Sequence, residues 1–288
     1  MPIEDGIVRY VLLILLAALV LSVLYTLALR CRRNHPAWEY LRKFRYAHRG
    51  YHDKPTIPEN SIAAFCRAVS CGFGAELDVH LLRDGRLAVI HDSSLKRTAG
   101  VDVAVEDLTA EELEKYRLEG TQEHIPLLEE VLALFEDKTP LVVELKSERG
   151  NYNALAAATV AVLDQYRVRC CVESFDPRCL RWLRKNRPEI VRGQLSQQFL
   201  RHGDTGGQSA FTLFALANLL MNFLTVPDFI AYRFEDRRSL SLRWCRRIYG
   251  VQEFSWTITD RQQMSVIEED SSVPIFEQFD PRGEYICE

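Results

Sequence analysis

Two absences from the sequence narrow the class of protein. The chain contains eight cysteines but no CxxC pair, the arrangement that many structural zinc sites use. Basic residues are not in excess either, because the formal net charge of the 288 residues is −4. A mildly acidic chain has no general electrostatic attraction for nucleic acid, so we expect no nucleic-acid partner. Apolar residues make up 47% and charged residues 26% of the chain, which are the proportions of a globular protein and argue against disorder.

The cysteines are interpreted as reduced side chains of the core. Most of them lie in apolar periodic runs, as Cys66, Cys170 and Cys179 do, where a free cysteine packs like a small hydrophobic residue. A chain of this length can bury a core without disulfides, which favours this interpretation over a disulfide framework.

Residues 10–29 form an uncharged apolar run that is long enough to cross the hydrocarbon core of a bilayer as a helix. A cleaved signal peptide is the alternative. Glu4 and Asp5 precede the run, the run is longer than an h-region, and no small-residue cleavage site follows it, so we favour a transmembrane helix. The sequence therefore predicts a membrane anchor over residues 1–36.

The charges beside this run predict its orientation. Only Arg9 precedes it, whereas several basic residues follow it: Arg30, Arg32, Arg33, Arg42, Lys43 and Arg45. The positive-inside rule then predicts a single-pass protein of the cell membrane whose catalytic domain is cytoplasmic. An extracellular or periplasmic enzyme held by an uncleaved signal anchor is the alternative, and the arginine cluster argues against it.

From about residue 40 to residue 288, short β-rich runs alternate with helical patterns. Eight strands separated by helices predict βαβ units, and eight such units match an α/β fold of the TIM (β/α)8 barrel type, which typically needs about 250 residues. The strands are predicted at 44–47, 75–79, 141–145, 169–173, 191–194, 229–231, 251–256 and 274–276. A turn at 83–86 predicts an extra strand at 87–90.

Two segments are longer than a barrel unit requires. Residues 93–125 are interpreted as a small insertion with a short helix from Ala110. Residues 198–227 are interpreted as an apolar helical insertion. On one continuous helix, Asn218, Asn222 and Thr225 would share a narrow polar stripe, and nearly all other residues of 211–226 are apolar. A buried helix and a helix that contacts lipid both fit this pattern.

Acidic residues at two predicted strands indicate a metal site. Glu76 and Asp78 alternate along one strand and so project from one face, as Glu144 and Lys146 do on the next strand of the barrel. Three carboxylates form an oxygen-rich site suited to one divalent cation, Ca²⁺ or Mg²⁺. Barrel enzymes place their chemistry at the carboxyl ends of the strands, where these residues are predicted to lie.

Two histidines and an arginine are also predicted to lie at strand ends. His48 and Arg49 come directly after the first predicted strand, and His91 follows the extra strand. Two histidines can serve as general acid and base near neutral pH, and the planar fork of Arg49 matches phosphate oxygens. A metal, two cations and two histidines are what hydrolysis of a phosphodiester requires.

The order of these motifs resembles the glycerophosphodiester phosphodiesterase family from about residue 46 to the C-terminus. The resemblance rests on AHRG (47–50), PENS (58–61), AELDVHLLRDGRLAVIHD (75–92), VELK (143–146), IPLLEEVL (125–132), ESFD (173–176) and SWTITD (255–260). It implies a TIM barrel with a small insertion, here residues 93–125. It also implies cleavage of glycerophosphodiesters to sn-glycerol 3-phosphate and an alcohol.

The resemblance assigns roles to residues that match the family motifs. It implies metal ligands at Glu76, Asp78 and Glu144, catalytic histidines at His48 and His91, phosphate contacts from Arg49 and Lys146, and a pocket aromatic at Trp256. Ordinary barrel packing is the alternative for Trp256. Thr259 departs from the asparagine that many members carry, which bears on the substrate head group. There are two alternative functions. One is lysophospholipase D-like hydrolysis of lysophospholipids at the membrane, and the other is binding of a phosphodiester by a non-catalytic, membrane-tethered protein.

Overall fold

Eight parallel strands, buried on nearly all of their length, close into a barrel in this computed structural model, which describes residues 2–203 and 205–282. Their order around the sheet is β1-β9-β8-β7-β6-β5-β4-β2, and pairing of β1 with β2 closes the ring. A ninth strand, β3, pairs antiparallel with β2. The strands are Tyr46–Ala47 (β1), Gly74–Leu81 (β2), Leu87–Val89 (β3), Leu141–Leu145 (β4), Cys170–Ser174 (β5), Arg192–Ser196 (β6), Phe229–Arg233 (β7), Gln252–Ile258 (β8) and Val273–Phe276 (β9).

This architecture confirms the TIM barrel and all nine predicted strands, whose ends differ from the predictions by a few residues at most. The prediction succeeds because parallel strands buried on both faces read as short apolar runs between turns.

Helices alternate with the strands, and most of them cover the outside of the barrel. They are Pro2–Ala28 (α1), Trp38–Leu41 (α2), Ile62–Ser70 (α3), Lys96–Ala99 (α4), Ala110–Leu113 (α5), Leu128–Phe135 (α6), Tyr152–Leu163 (α7), Pro177–Asn186 (α8), Phe199–His202 (α9), Ala210–Ala217 (α10), Asn222–Thr225 (α11), Leu240–Tyr249 (α12) and Arg261–Glu269 (α13). Three short 3₁₀ turns lie at Val105–Asp107, Leu118–Gly120 and Phe234–Asp236.

The core has separate compartments inside and outside the barrel. Aromatic side chains fill the barrel interior near the amino ends of the strands, where Trp38 of α2 stacks on Phe229 and meets Phe254 edge-on. Residues 93–125 form α4, α5 and two 3₁₀ turns around a small cluster that includes Leu95, Val105 and Leu113 and continues to Ala88 of β3. The aromatic plug at one end leaves the carboxyl end of the barrel free to carry a site.

Helix α1 contains a stretch, Ile7–Ala28, with a mean hydropathy of 2.8, which is long and apolar enough to cross a membrane. A signal sequence passes the same test of length and composition. Residues 7–24 are exposed, whereas the end of the helix packs on α12. Tyr25 meets Trp244 edge-on at a centroid distance of 5.7 Å, and the Tyr249 hydroxyl donates to the Thr26 carbonyl at 2.6 Å.

Segment 198–227 differs from the prediction, because it is not one continuous helix. Helix α10 ends at Ala217, Leu219 adopts a φ of 58°, and the short helix α11 begins only at Asn222. Asn222 and Thr225 are fully buried, so the predicted polar stripe does not form on one surface. The left-handed turn at Leu219 costs conformational energy, which tertiary packing of Leu219 in the core offsets.

The interpretation of the cysteines is wrong at two positions. Cys71 is disulfide-bonded, whereas the other six described cysteines are free. Cys66 is exposed, because α3 turns Phe65 and Ala68 toward the core and Cys66 away from it. Cys287 lies outside the described residues.

Candidate active site

Three carboxylates meet at the carboxyl end of the barrel. Glu76 and Asp78 alternate along β2, and the strand register places Glu144 of β4 directly opposite Asp78. One oxygen from each of the three side chains lies within 4.8 Å of the other two, and all three side chains are buried. The structure thus brings together the three residues that the sequence predicted as metal ligands.

The carboxylates differ in their electrostatic surroundings. Burial raises the pKa of Glu76 well above its ordinary value, and the charges of Asp78 and Glu144 raise it further. Burial raises the pKa of Glu144 as well. Burial alone would also raise the pKa of Asp78, but Lys146, His91 and Arg49 outweigh it and hold this pKa well below its usual range. Ionisation of all three carboxylates therefore requires a further positive charge near Glu76 and Glu144.

Two cations border the carboxylates. The Nζ atom of Lys146 lies 2.8 Å from Oε1 of Glu144 and 3.0 Å from Oδ1 of Asp78. The backbone nitrogen of Arg49 donates to Oε2 of Glu76 at 2.9 Å, and the side-chain Nε of Arg49 lies 3.7 Å from Oδ2 of Asp78. The next residue, Gly50, has a φ of +79°, and a Cβ there would come within 2.8 Å of Ala64, so only glycine fits this turn.

His48 follows β1 and is held by a carboxylate. Its Nδ1 atom shares a hydrogen bond of 2.7 Å with Oε2 of Glu277, and its Nε2 atom lies 3.9 Å from Oε2 of Glu76. Burial and the nearby Arg49 lower the pKa of His48, although Glu277 opposes this shift. Glu277 therefore orients the imidazole and leaves Nε2 directed toward the carboxylate cluster.

His91 is held in a similar way by the residue that follows it. Its Nδ1 atom lies 2.6 Å from Oδ1 of Asp92, and Oδ2 of Asp92 accepts from Nε of Arg97 at 2.6 Å. Arg97 also donates to Glu59 at 2.6 Å. Because Arg97 belongs to α4, the insertion helps to position the second histidine.

A cavity of about 1000 Å³ opens beside these groups. The predicted residues that line it are His48, Arg49, Glu76, His91, Glu144, Lys146 and Trp256. Asp78 is not in the lining because it is fully buried beneath it. Trp256 lines the cavity and also packs edge-on against Phe175 at a centroid distance of 5.8 Å.

Several residues of the site were not predicted. Glu277 stands directly after β9, and Glu173 lies on β5 where its register partner is Glu144. The signal that could have found both is a carboxylate at the carboxyl end of a predicted barrel strand. Asn60 precedes Ser61, the residue that caps α3, and the Asn60 amide donates to Asp78 at 2.8 Å.

Two further histidines have positions that the sequence did not indicate. His52 lines the cavity, and its Nε2 lies 3.6 Å from Oε2 of Glu277. His80 is buried between β2 and the insertion. Its two ring nitrogens contact Oε1 of Glu106 at 2.6 Å and the carbonyl of His91 at 3.1 Å.

The donor set fits a divalent metal. Glu76, Asp78 and Glu144 offer oxygen ligands only, which suits Ca²⁺ or Mg²⁺ better than a softer metal. Buried carboxylates at this spacing repel one another unless a cation lies between them. No ring nitrogen or thiol belongs to the group of three.

Buried carboxylates, cations and carboxylate-held histidines at the carboxyl end of a barrel define an enzyme site for a phosphate group. Residues 48–270 match the model of the glycerophosphoryl diester phosphodiesterase family. The glycerophosphodiester phosphodiesterase of Caldanaerobacter subterraneus subsp. tengcongensis is 38% identical over 228 residues, which are 76% of this chain and 86% of that protein. The chain therefore belongs to this family of hydrolases.

Two other similarities add detail. A lysophospholipase D of Rattus norvegicus is 38% identical over 122 residues, which are 38% of each chain. A phosphodiesterase of Oleispira antarctica, solved in complex with sn-glycerol-3-phosphate, shares the fold with a TM-score of 0.70 at 23% identity, covering 87% of this chain and 97% of that one. At this identity the second similarity supports the fold alone.

Proposed function

We propose that the protein hydrolyses glycerophosphodiesters to sn-glycerol 3-phosphate and an alcohol in a reaction that depends on one divalent metal ion. The observation that carries the proposal is the assembly, at one cavity and directly beneath it, of three carboxylates, two cations and two histidines that lie on five separate elements or loops. The non-catalytic alternative is less favoured, because none of the groups that the chemistry needs is missing from the cavity.

Each group has a defined part in this proposal. Glu76, Asp78 and Glu144 would hold Ca²⁺ or Mg²⁺, which when bound stabilises negative charge on the phosphate oxygens. Arg49 and Lys146 contact the phosphate, and Trp256 bounds the substrate. The Nδ1 atoms of His48 and His91 are engaged by carboxylates, so the Nε2 atoms exchange protons. One histidine accepts the proton of the attacking hydroxyl or water, and the other donates a proton to the leaving alcohol.

A hydrolysis screen of the purified full chain tests this proposal. The substrates are glycerophosphocholine, glycerophosphoethanolamine, glycerophosphoglycerol and lysophospholipids, each with Ca²⁺, with Mg²⁺ and after metal removal. We expect hydrolysis that requires metal and that falls on the order of 10²–10⁴-fold in His48→Ala and in His91→Ala. Hydrolysis at the full rate by a metal-stripped enzyme, or by either variant, would refute the corresponding assignment.

Lysophospholipase D-like hydrolysis is a second candidate function. It is favoured by the aromatic wall of the cavity, where Trp256 meets Phe175 and Phe175 meets Phe199 at centroid distances of 5.8 and 5.7 Å. Such a wall can accommodate an acyl chain. The same screen separates this activity from hydrolysis of soluble diesters.

We further propose that residues 1–36 anchor the catalytic domain, residues 40–288, to the cell membrane. The exposure of the apolar residues 7–24 supports the anchor. The arginines after α1 favour a cytoplasmic catalytic domain. The disulfide at Cys71 favours the opposite orientation, because disulfides persist mainly in oxidising compartments.

A further inference from the structure

The described residues outside α1 expose large hydrophobic side chains at only a few positions, and the most exposed are not scattered. They are Phe211 at 81%, Leu240 at 76%, Leu200 at 58% and Phe214 at 54% exposure. All four lie on α9, α10 or the first residue of α12, elements that follow the carboxyl ends of β6 and β7. We name this set the apolar rim. Exposed apolar side chains concentrated at one end of a domain indicate a contact with an apolar partner.

Two hydrogen bonds fix α10 at the catalytic end of the barrel. The hydroxyl of Ser196, the last residue of β6, donates to the carbonyl of Leu216 at 2.9 Å. The hydroxyl of Tyr232, near the end of β7, donates to the carbonyl of Ala217 at 2.8 Å. The carboxyl end of α10 therefore lies level with the strand ends that carry the active site.

The buried side of α10 is linked to the wall of the catalytic cavity through two phenylalanines. Leu213 of α10 packs with Phe199, and Phe199 meets Phe175 edge-on. Phe175 in turn lines the cavity. The helix thus packs one face on the phenylalanines behind the cavity and presents Phe211 and Phe214 to the surroundings.

The contacts of α1 show in which direction the apolar span leaves the barrel. The Arg33 guanidinium donates to the carbonyl of Ile248, the Cys245 thiol donates to the carbonyl of Leu29 at 3.6 Å, and Tyr25 meets Trp244. From residue 33 back to residue 25, the chain therefore runs along α12 from its last turn toward its first.

The first turn of α12 lies at the catalytic end, because this helix follows the carboxyl end of β7. Continued in the same direction, the exposed residues 7–24 extend beyond that end. At 1.5 Å per residue they are about 27 Å long, close to the thickness of a hydrocarbon core. The bilayer that α1 would cross therefore begins near the level of the apolar rim.

We propose that the apolar rim docks on the same bilayer that α1 crosses, so that the catalytic cavity opens toward the lipid surface. The proposal rests on the anchoring role of α1 given above, and it assigns the rim one partner, a lipid surface. Apolar and aromatic side chains at the level of the interface insert their rings among the lipid chains. Substrates that reside in the bilayer would then reach the cavity without crossing bulk water.

A depth measurement tests the docking without any need for activity. The full chain carrying Phe211→Trp is reconstituted in nanodiscs of dioleoylphosphatidylcholine, with or without dibrominated phosphatidylcholine. The fluorescence of the introduced tryptophan, here the added emission, is obtained by subtracting the tryptophan fluorescence of the wild type. Val266→Trp, at an exposed position on α13, is the matched control. We expect bromolipid to lower the added emission of Phe211→Trp at least twofold and to leave that of Val266→Trp unchanged. Equal quenching of both positions, or none at residue 211, would overturn the proposal, the latter in favour of a protein partner.

A second measurement links docking to the reaction. Phe211→Glu/Phe214→Glu and the control Val266→Glu are compared on lysophosphatidylcholine in the nanodisc and on glycerophosphocholine in solution. We expect about a tenfold loss for the double variant on the lipid substrate only. Parallel losses on both substrates would contradict the proposal. If the wild type hydrolyses neither substrate, the proposed function fails, whereas the quenching result still decides the docking.

Discussion

The Nδ1 atom of His48 lies 2.7 Å from Oε2 of Glu277, a residue 229 positions away in the sequence. The register of β1 and β9 explains this contact, because Ala47 pairs with Phe276. His48 directly follows Ala47, and Glu277 directly follows Phe276. The closure of the barrel thus builds the histidine–carboxylate pair.

Glu277→Gln is expected to lower kcat by up to about 10²-fold, because the imidazole loses the acceptor that fixes its tautomer and orientation. The KM should change little, since Glu277 does not contact the phosphate cations. Steady-state kinetics on glycerophosphocholine measure both constants. Glu235→Gln, the same substitution in the lining of the same cavity, is the control and should leave kcat unchanged. Equal effects of the two variants would deny Glu277 a positioning role.

Glu76→Gln should abolish activity and yet stabilise the metal-free protein. Burial and its acidic neighbours raise the pKa of Glu76, so its ionised form destabilises the fold at neutral pH when no metal is bound. Each kcal/mol regained corresponds to roughly 2–4 °C in melting temperature for a domain of this size. Calorimetry with and without EDTA provides the measurement.

Metal binding by the same variant completes this test. Titration calorimetry with Ca²⁺ and Mg²⁺ should show binding weakened at least about tenfold, which is about 1.4 kcal/mol. Wild-type affinity in Glu76→Gln would remove this residue from the metal site.

Glu59 joins three cations and should control both substrate affinity and acid stability. Its carboxylate accepts from Arg49 at 2.8 Å, Arg97 at 2.6 Å and Lys54 at 2.7 Å. Glu59→Gln should raise KM, because Arg49 loses its partner, and should cost about 3 kcal/mol of stability at pH 7. Glu119→Gln, which removes a carboxylate that contacts Lys54 but neither arginine, is the control.

The pH dependence of this effect follows from the pKa of Glu59. Burial would raise this pKa, but the hydrogen bond donated by Arg97, the charge of Arg49 and the hydrogen bond donated by Lys54 lower it far below its ordinary value. A depressed carboxyl pKa gives stability that is present above the unfolded value, about 4.3, and is lost as pH falls toward the folded value. The stability difference between wild type and Glu59→Gln, measured from denaturation curves, should therefore begin to shrink below about pH 5 and keep shrinking as the pH falls to about 3 and further. A difference that stays constant over this range would exclude the ionic role.

The exposed thiol of Cys66 provides a test of orientation. If the catalytic domain is cytoplasmic, a membrane-impermeant maleimide should label Cys66 only after cells that express the full chain are permeabilised. Labelling of intact cells would place the domain outside and would agree with the disulfide at Cys71. Cys66 is the one exposed cysteine among those that the structure describes. The maleimide labelling that disappears in Cys66→Ser is the labelling of this residue.

Local patterns in the sequence determined the strands and the central carboxylates. Each barrel strand is a short apolar run bounded by turns, and the alternation of Glu76 and Asp78 places both on one face whatever the rest of the chain does. Residues directly after a strand, such as His48, could be assigned to the catalytic end for the same reason. These inferences need only the periodicity of a strand, which few neighbouring residues define.

Only the tertiary structure decided the contacts that depend on ring closure and packing. Glu277 reaches His48 because β9 pairs with β1, and no local pattern contains that register. The apolar segment 211–226 read as one helix, yet packing of Leu219 breaks it, so Phe211 and Phe214 stay exposed while Asn222 and Thr225 are buried. Hydropathy shows how apolar a segment is, but the side that faces outward depends on neighbours that are distant in sequence.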